Sequence, residues 1–130
     1  MAGYSGTPLP QKLGTKETHT VFLDGVPATV DLGDLPGRVV RRLPRAADVT
    51  LTFHDSRAAL AKRLPTLLER TVTDGMVWVC WPKKASRVPT DLTEDRVREL
   101  GLSLGFVDVK VAAIDETWSG LKFVRRLADR

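Results

Sequence analysis

Apolar and polar positions alternate most regularly in "ADVTLTFHD", Ala47–Asp55, where Val49, Leu51 and Phe53 are separated by Thr50 and Thr52. Such a period of two predicts a strand with one buried face and one semi-polar face. The pattern then changes. Leu60, Leu64, Leu67 and Leu68 recur at helical spacing behind Ser56, a residue suited to accept from the orphan N–H groups of a helix start. Pro65 falls inside that pattern and predicts a kink, or a second helix beginning with Pro65 in its first turn. "TDGMVWVCW" predicts a turn and then an unbroken apolar strand, the mark of a central strand covered on both faces.

Other elements follow the same logic. "THTVFLD", Thr18–Asp24, predicts a first strand. Pro27 suits the first position of a short helix that Gly33 or Gly37 would stop. "RVVRRL", Arg38–Leu43, predicts a strand from its β-branched content. Asp91 and Glu94 have the spacing of a capping box, so a helix is expected to start near Asp91 and to bury Val97, Leu100 and Leu104. "GFVDVKVAAID" and "WSGLKFVRR" lie so close in sequence that they predict a hairpin with its tip at Glu116 and Thr117. Strand–helix–strand units imply right-handed parallel crossovers. The expected fold is therefore α/β: a three-layer, mostly parallel Rossmann-like sheet ending in an antiparallel hairpin. Only "PRAA" joins the second strand to the third, too short for a helical crossover; that link runs bare along the sheet or the second strand is antiparallel.

Residues 1–18 lack periodicity and read as an N-terminal arm, leaving 19–130 as a single α/β domain. The chain of 130 residues is long enough for one substantial core. No apolar run reaches the roughly 18 residues of a membrane span, and the start lacks a basic-then-apolar leader pattern. A cytoplasmic setting is expected. The single cysteine, Cys80, excludes an internal disulfide and a multi-cysteine metal site.

A net charge of +4 raises the question of nucleic acid. Arginines cluster at Arg38, Arg41, Arg42 and Arg45, and cations at Lys122, Arg125, Arg126 and Arg130. Acids are interspersed elsewhere and no nucleic-acid motif accompanies the clusters, so solvated faces account for them at least as well.

In open α/β sheets, ligands gather outside the carboxyl ends of parallel strands. The candidate ligand edge is therefore Asp24, His54, Asp55, Trp81, Lys83, Lys84, Ser86, Asp115 and Trp118. Lys83 or Lys84 with Ser86 and the next helix start could hold an anion; alternatively, the lysines reach solvent or balance carboxylates. Trp81 and Trp118 could flank a flat ligand. His54, Asp55 and Ser56 are adjacent, which is the wrong geometry for a hydrolytic triad.

From Ala47 onward the sequence resembles the second half of a class I methyltransferase fold. The whole chain resembles a family of small bacterial proteins known as a domain of unknown function, through "GYSGTPL" at Gly3–Leu9, "WPKKAS" at Trp81–Ser86, "TDLTED" at Thr90–Asp95 and "DETWSGLKF" at Asp115–Phe123. That likeness implies a degenerate methyltransferase-like fold. Where methyltransferases carry a glycine-rich loop after the first strand, this chain has "LDGVPATV"; where they carry an acid after the second strand, it has "RRLPR". The expectation is thus a non-catalytic binding or regulatory module with no cofactor, no S-adenosylmethionine binding and no catalytic or metal-ligating residues. A protein partner is possible. The alternatives are an anionic or phosphate-bearing small molecule at the carboxyl edge, and a basic nucleic-acid binder.

Overall fold

The structure is a computed structural model and describes residues 7–130; Gly3–Gly6 of the "GYSGTPL" motif lie outside the described residues. Six strands form one sheet in the order β2-β1-β3-β4-β6-β5. They are β1 (Thr20–Asp24), β2 (Arg38–Val40), β3 (Ala47–Phe53), β4 (Thr71–Pro82), β5 (Phe106–Ala113) and β6 (Trp118–Arg125), with helices α1 (Leu9–Leu13), α2 (Arg57–Glu69) and α3 (Glu94–Ser103). β2, β1, β3 and β4 are mutually parallel, and β6 is antiparallel to both β4 and β5. Two reversals restore the direction, so β5 again runs with β4. The carboxyl ends of β1, β3, β4 and β5 therefore lie on one edge.

The strand at β2 is shorter than its sequence suggests. It ends at Val40 and is parallel to β1. The return to β3 runs bare, as so short a link requires, with Val40 and Leu43 packed beside Phe22, Ala47 and Leu67.

The sheet is covered unequally. Leu60, Leu64 and Leu68 of α2 and Val97 of α3 pack on one face against Val77, Val79, Trp81, Leu121 and Phe123. The opposite face, built on Val21, Leu23, Val49, Leu51, Trp78 and Cys80, has no long helix. Leu13 of α1 and Leu32 close it, with Val26, Val30 and Leu35 at their margin. The arm is thus part of the core at its inner end. Leu13 is fully buried, and the buried Trp78 Nε1–H donates to its carbonyl at 3.0 Å.

Three local expectations change, and one is decided between its alternatives. The helix expected at Pro27 does not form: residues 25–37 are irregular, with one turn bond from Val30 N–H to the Pro27 carbonyl. Asp31 accepts from Gly33 N–H at 2.8 Å, a local side-chain bond that competes with helix. Gly33 itself sits at φ +73. α2 does not divide at Pro65 but runs through it. The "TDG" turn before β4 is absorbed into the strand: Ala47 pairs with Thr71, and Val49 already pairs with Met76. The surplus residues bulge out there, with Gly75 so close to the Asp48 carbonyl that a Cβ would meet it at 2.9 Å. Finally, α3 starts at Glu94, because the Thr93 hydroxyl, not Asp91, accepts from Arg96 N–H. Asp91 instead accepts from Arg57 N–H at the start of α2, at 2.8 Å. Leu104, just past the helix end, is 39% exposed and leaves the buried face.

No helix among the described residues is long and apolar enough to cross a membrane.

Candidate functional site

The carboxyl edge gathers two groups of residues, one on each face of the sheet. Alternation along β1 and β3 decides which residue joins which group. Val21, Leu23, Val49, Leu51 and Phe53 point to the arm side. Asp24, Thr52 and His54 have the opposite parity and meet α2.

On the α2 side, Asp24 ends β1 and is held by Arg63, whose Nε and Nη2 donate to its two oxygens at 3.1 and 2.9 Å. Thr52, fully buried, places its hydroxyl 2.8 Å from Asp24 Oδ2 and 2.6 Å from His54 Nε2. The chain after β3 is pinned by His54 N–H donating to the Cys80 carbonyl at 3.0 Å. Burial works to raise Asp24, but the Arg63 and Thr52 hydrogen bonds and the guanidinium charge prevail and hold its carboxyl below the ordinary 3.8. Burial lowers His54 below the ordinary 6.5, outweighing the pull of Asp24 in the other direction. The imidazole is neutral at pH 7.

On the arm side, a cleft of about 590 Å³ opens between α1, the loop after β1 and the β5–β6 turn. Pro8, Leu9, Pro10, Leu32 and Ile114 give it apolar walls, and Asp31, Asp34, Asp115 and Glu116 line it with carboxylates. Two of these are fixed by backbone: Asp31 Oδ1 accepts from Gly33 N–H, and Asp115 Oδ1 accepts from Thr117 and Trp118 N–H at 2.8 and 2.7 Å. Each keeps its second oxygen free of those bonds. A second hollow of about 420 Å³ lies across the same loop, lined by Leu23, Val26, Val39 and Arg41 among others. The loop that replaces a crossover helix is therefore a partition between two openings.

The remaining residues of the expected edge scatter. Asp55 is exposed, and its carbonyl accepts from the Thr90 hydroxyl at 2.6 Å. Trp81 is buried in the core beneath α2 and α3, whereas Trp118 packs with Phe53 on the other face, ring centroids 5.2 Å apart. The two indoles thus lie on opposite faces and cannot sandwich one ligand. Lys83 and Lys84 make no ion pair among the described residues. Ser86 uses its hydroxyl internally, donating to the Lys83 carbonyl at 2.7 Å and accepting from Val88 N–H. Asp91 sits at the α2 start, where it supplies the negative charge an anion would bring. Among the described residues, no group of three or more His, Cys, Asp or Glu side chains is placed to hold a metal ion.

Sequence reasoning missed Thr52, Arg63, Asp31 and Asp34. The β3 alternation already placed Thr52 on the face of His54. Arg63 lies 39 residues from Asp24, and only α2's position over β1 brings them together.

No family model matches the chain, and no curated protein matches it. Solved structures do. The chain is similar to magnesium protoporphyrin IX methyltransferase from Synechocystis with bound S-adenosylmethionine, at TM-score 0.54 and 12% identity over 70% of this chain and 47% of that one. The pyocyanin biosynthetic protein PhzM matches at TM-score 0.62 and 13% identity, over 91% of this chain and 53% of that one. A Burkholderia thailandensis 1,6-didemethyltoxoflavin-N1-methyltransferase with bound S-adenosylhomocysteine matches at TM-score 0.61 and 15% identity, over 90% of this chain and 74% of that one. The chain spans about half the length of the first two. These neighbours correct the expectation of a non-catalytic module. That expectation rested on the missing glycine loop, whereas two of these neighbours are methyltransferases holding S-adenosylmethionine or S-adenosylhomocysteine. At these identities the likeness establishes the fold: a six-stranded mixed α/β sheet of the methyltransferase-like, Rossmann-like kind.

Proposed function

We propose that this chain binds S-adenosylmethionine, or a sulfonium cofactor of that type, in the acidic cleft of the carboxyl edge and serves methyl transfer. The observation that carries the reading is the cleft itself: about 590 Å³ walled by proline and aliphatic side chains and lined by Asp31, Asp34, Asp115 and Glu116, on the ligand-gathering edge of a methyltransferase-like sheet.

The fit is partial in an informative way. After β1 come Gly25, Val26 and Pro27. Gly25 takes φ +69, but Val26 carries a side chain and Pro27 has no N–H, so no run of backbone donors cradles a nucleotide there. The cleft suits the other end of the molecule. S-adenosylmethionine carries positive charge at sulfur and at its amino group, and four carboxylates raise the local concentration of such a cation. When bound, the cofactor supplies an electrophilic methyl group. Leu9, Leu32 and Ile114 would exclude water, and the free oxygens of Asp31 and Asp115 would face the cation.

Calorimetry tests the reading. S-adenosylmethionine should bind more tightly than S-adenosylhomocysteine, whose sulfur is neutral. Replacing Asp31 and Asp34 by asparagine and Glu116 by glutamine should weaken binding about five- to tenfold, as expected for partly screened charges. Absence of binding up to about 1 mM cofactor, or equal binding of the two forms with no response to the triple substitution, overturns it.

A further inference from the structure

The Asp24–Thr52–His54 group contains one hydrogen too few for every contact to be read either way, and that fixes its protons. Asp24 is ionised beside Arg63 and can only accept. Thr52 has one hydroxyl hydrogen and lies between Asp24 Oδ2 at 2.8 Å and His54 Nε2 at 2.6 Å. A hydroxyl turned to His54 would set two oxygen lone pairs against each other across the Asp24 contact. The hydrogen therefore points to Asp24, and His54 Nε2 must carry its own hydrogen and donate to Thr52. In the neutral ring Nδ1 is then the bare acceptor. No buried side-chain nitrogen or oxygen among the described residues lacks a partner, and Nδ1 makes no hydrogen bond there, so it is the nitrogen open to solvent.

We propose that His54 is a general base whose Nδ1 takes a proton from an O–H or N–H group of a ligand bound at the carboxyl edge, with Thr52, Asp24 and Arg63 as positioning residues. The ligand's X–H bond breaks and its electron pair stays on X. A new N–H bond forms at Nδ1, and the ring becomes an imidazolium that still donates from Nε2 to Thr52. Asp24, beyond the hydroxyl, offsets the new charge, and so does the neighbouring Asp55; Arg63 opposes it. The two-point grip of Arg63 keeps Asp24 from turning away. Burial keeps the ring neutral at rest, which is the state a base needs.

Nitrogen-resolved NMR of the imidazole tests the proton assignment with no cofactor present, so its failure is separate from any failure of cofactor binding. The neutral ring should show hydrogen on Nε2 and none on Nδ1, with a titration midpoint below 6.5. Thr52→Val should restore a mixed population of tautomers and move the midpoint lower still. The probe for proton acceptance is 4-nitrophenol, read by its visible phenolate band. The wild-type protein should shift the pH midpoint of that band, and His54→Gln should remove the shift while keeping the fold by circular dichroism. Hydrogen found on Nδ1, a Thr52→Val spectrum like wild type, or a phenolate midpoint that is unshifted in wild type or still shifted in His54→Gln overturns the proposal.

Discussion

Trp78→Phe separates the arm from the sheet with little other change. The indole is fully buried and spends its only polar atom on the Leu13 carbonyl, 3.0 Å away. Phenylalanine keeps the aromatic contacts but leaves that carbonyl buried and unpaired, a loss of about 1–2 kcal/mol. The smaller ring also leaves about 40 Å³ unfilled in a close-packed region, worth about 1 kcal/mol at the usual cost per unit of cavity volume. The expected destabilisation is about 2–3 kcal/mol, or a urea midpoint lowered by about 1.5 M for a slope near 1.5 kcal/mol/M. Amide exchange supplies the second readout. Lys12 N–H, bonded to the Pro8 carbonyl, and Gly14 N–H, bonded to the Gln11 carbonyl, should lose protection far more than the interior of β3. Because Pro8, Leu9 and Pro10 wall the cleft, the same variant should weaken cofactor binding. A midpoint lowered by less than about 0.5 M, with Lys12 and Gly14 protected as before, would refute the reasoning.

Gly101→Ala should destabilise by about 1–2 kcal/mol in urea unfolding, despite alanine's better helix propensity. The new Cβ would press on the ring of Phe123, which is fully buried and has no room to move; unchanged stability would show that the ring can yield. Stability should also fall on acidification in two stages. His54 is depressed in the fold, so below pH 6.5 the unfolded chain protonates first and stability declines until the folded ring titrates as well. Asp24 is likewise depressed, so its contribution is full above 3.8 and is lost as pH drops through its folded value. Chemical denaturation across pH 3–8 checks both stages, and His54→Gln should remove the upper one alone.

Much of the fold was legible because its segments advertise themselves locally. β3 shows strict alternation, α2 a leucine stripe behind its Ser56 cap, and the β5–β6 hairpin two apolar runs with almost nothing between. What escaped depended on distant partners. Asp91 had the spacing of a cap for the helix that follows it, yet it serves Arg57, 34 residues earlier, because the loop before α3 folds back over α2. Pro27 looked like a helix start, but the Asp31 side chain accepts from Gly33 N–H in competition with helix, and the loop's apolar residues spread over the core face of the sheet. The site divided in the same way. Asp24, His54 and Asp115 follow from the rule that ligands gather at strand ends. Arg63 follows only from where α2 lies, and the acidic cleft only from where the arm docks. The pairing of Trp81 with Trp118 failed for a reason already present in the pleat: Trp118 sits opposite Pro82, one residue past Trp81, and adjacent residues point to opposite faces.

The contact between Leu13 and Trp78 also sets an order of events. It spans 65 residues, so the arm, the earliest segment on which the core depends, has no docking site until β4 has paired with β3. Closing so long a loop is entropically unfavourable until those strands exist. Seating of the arm is therefore a late step in folding and, read backwards, an early one to come undone. Brief departures of α1, well short of global unfolding, would lift one wall of the cleft and give a ligand its way in and out.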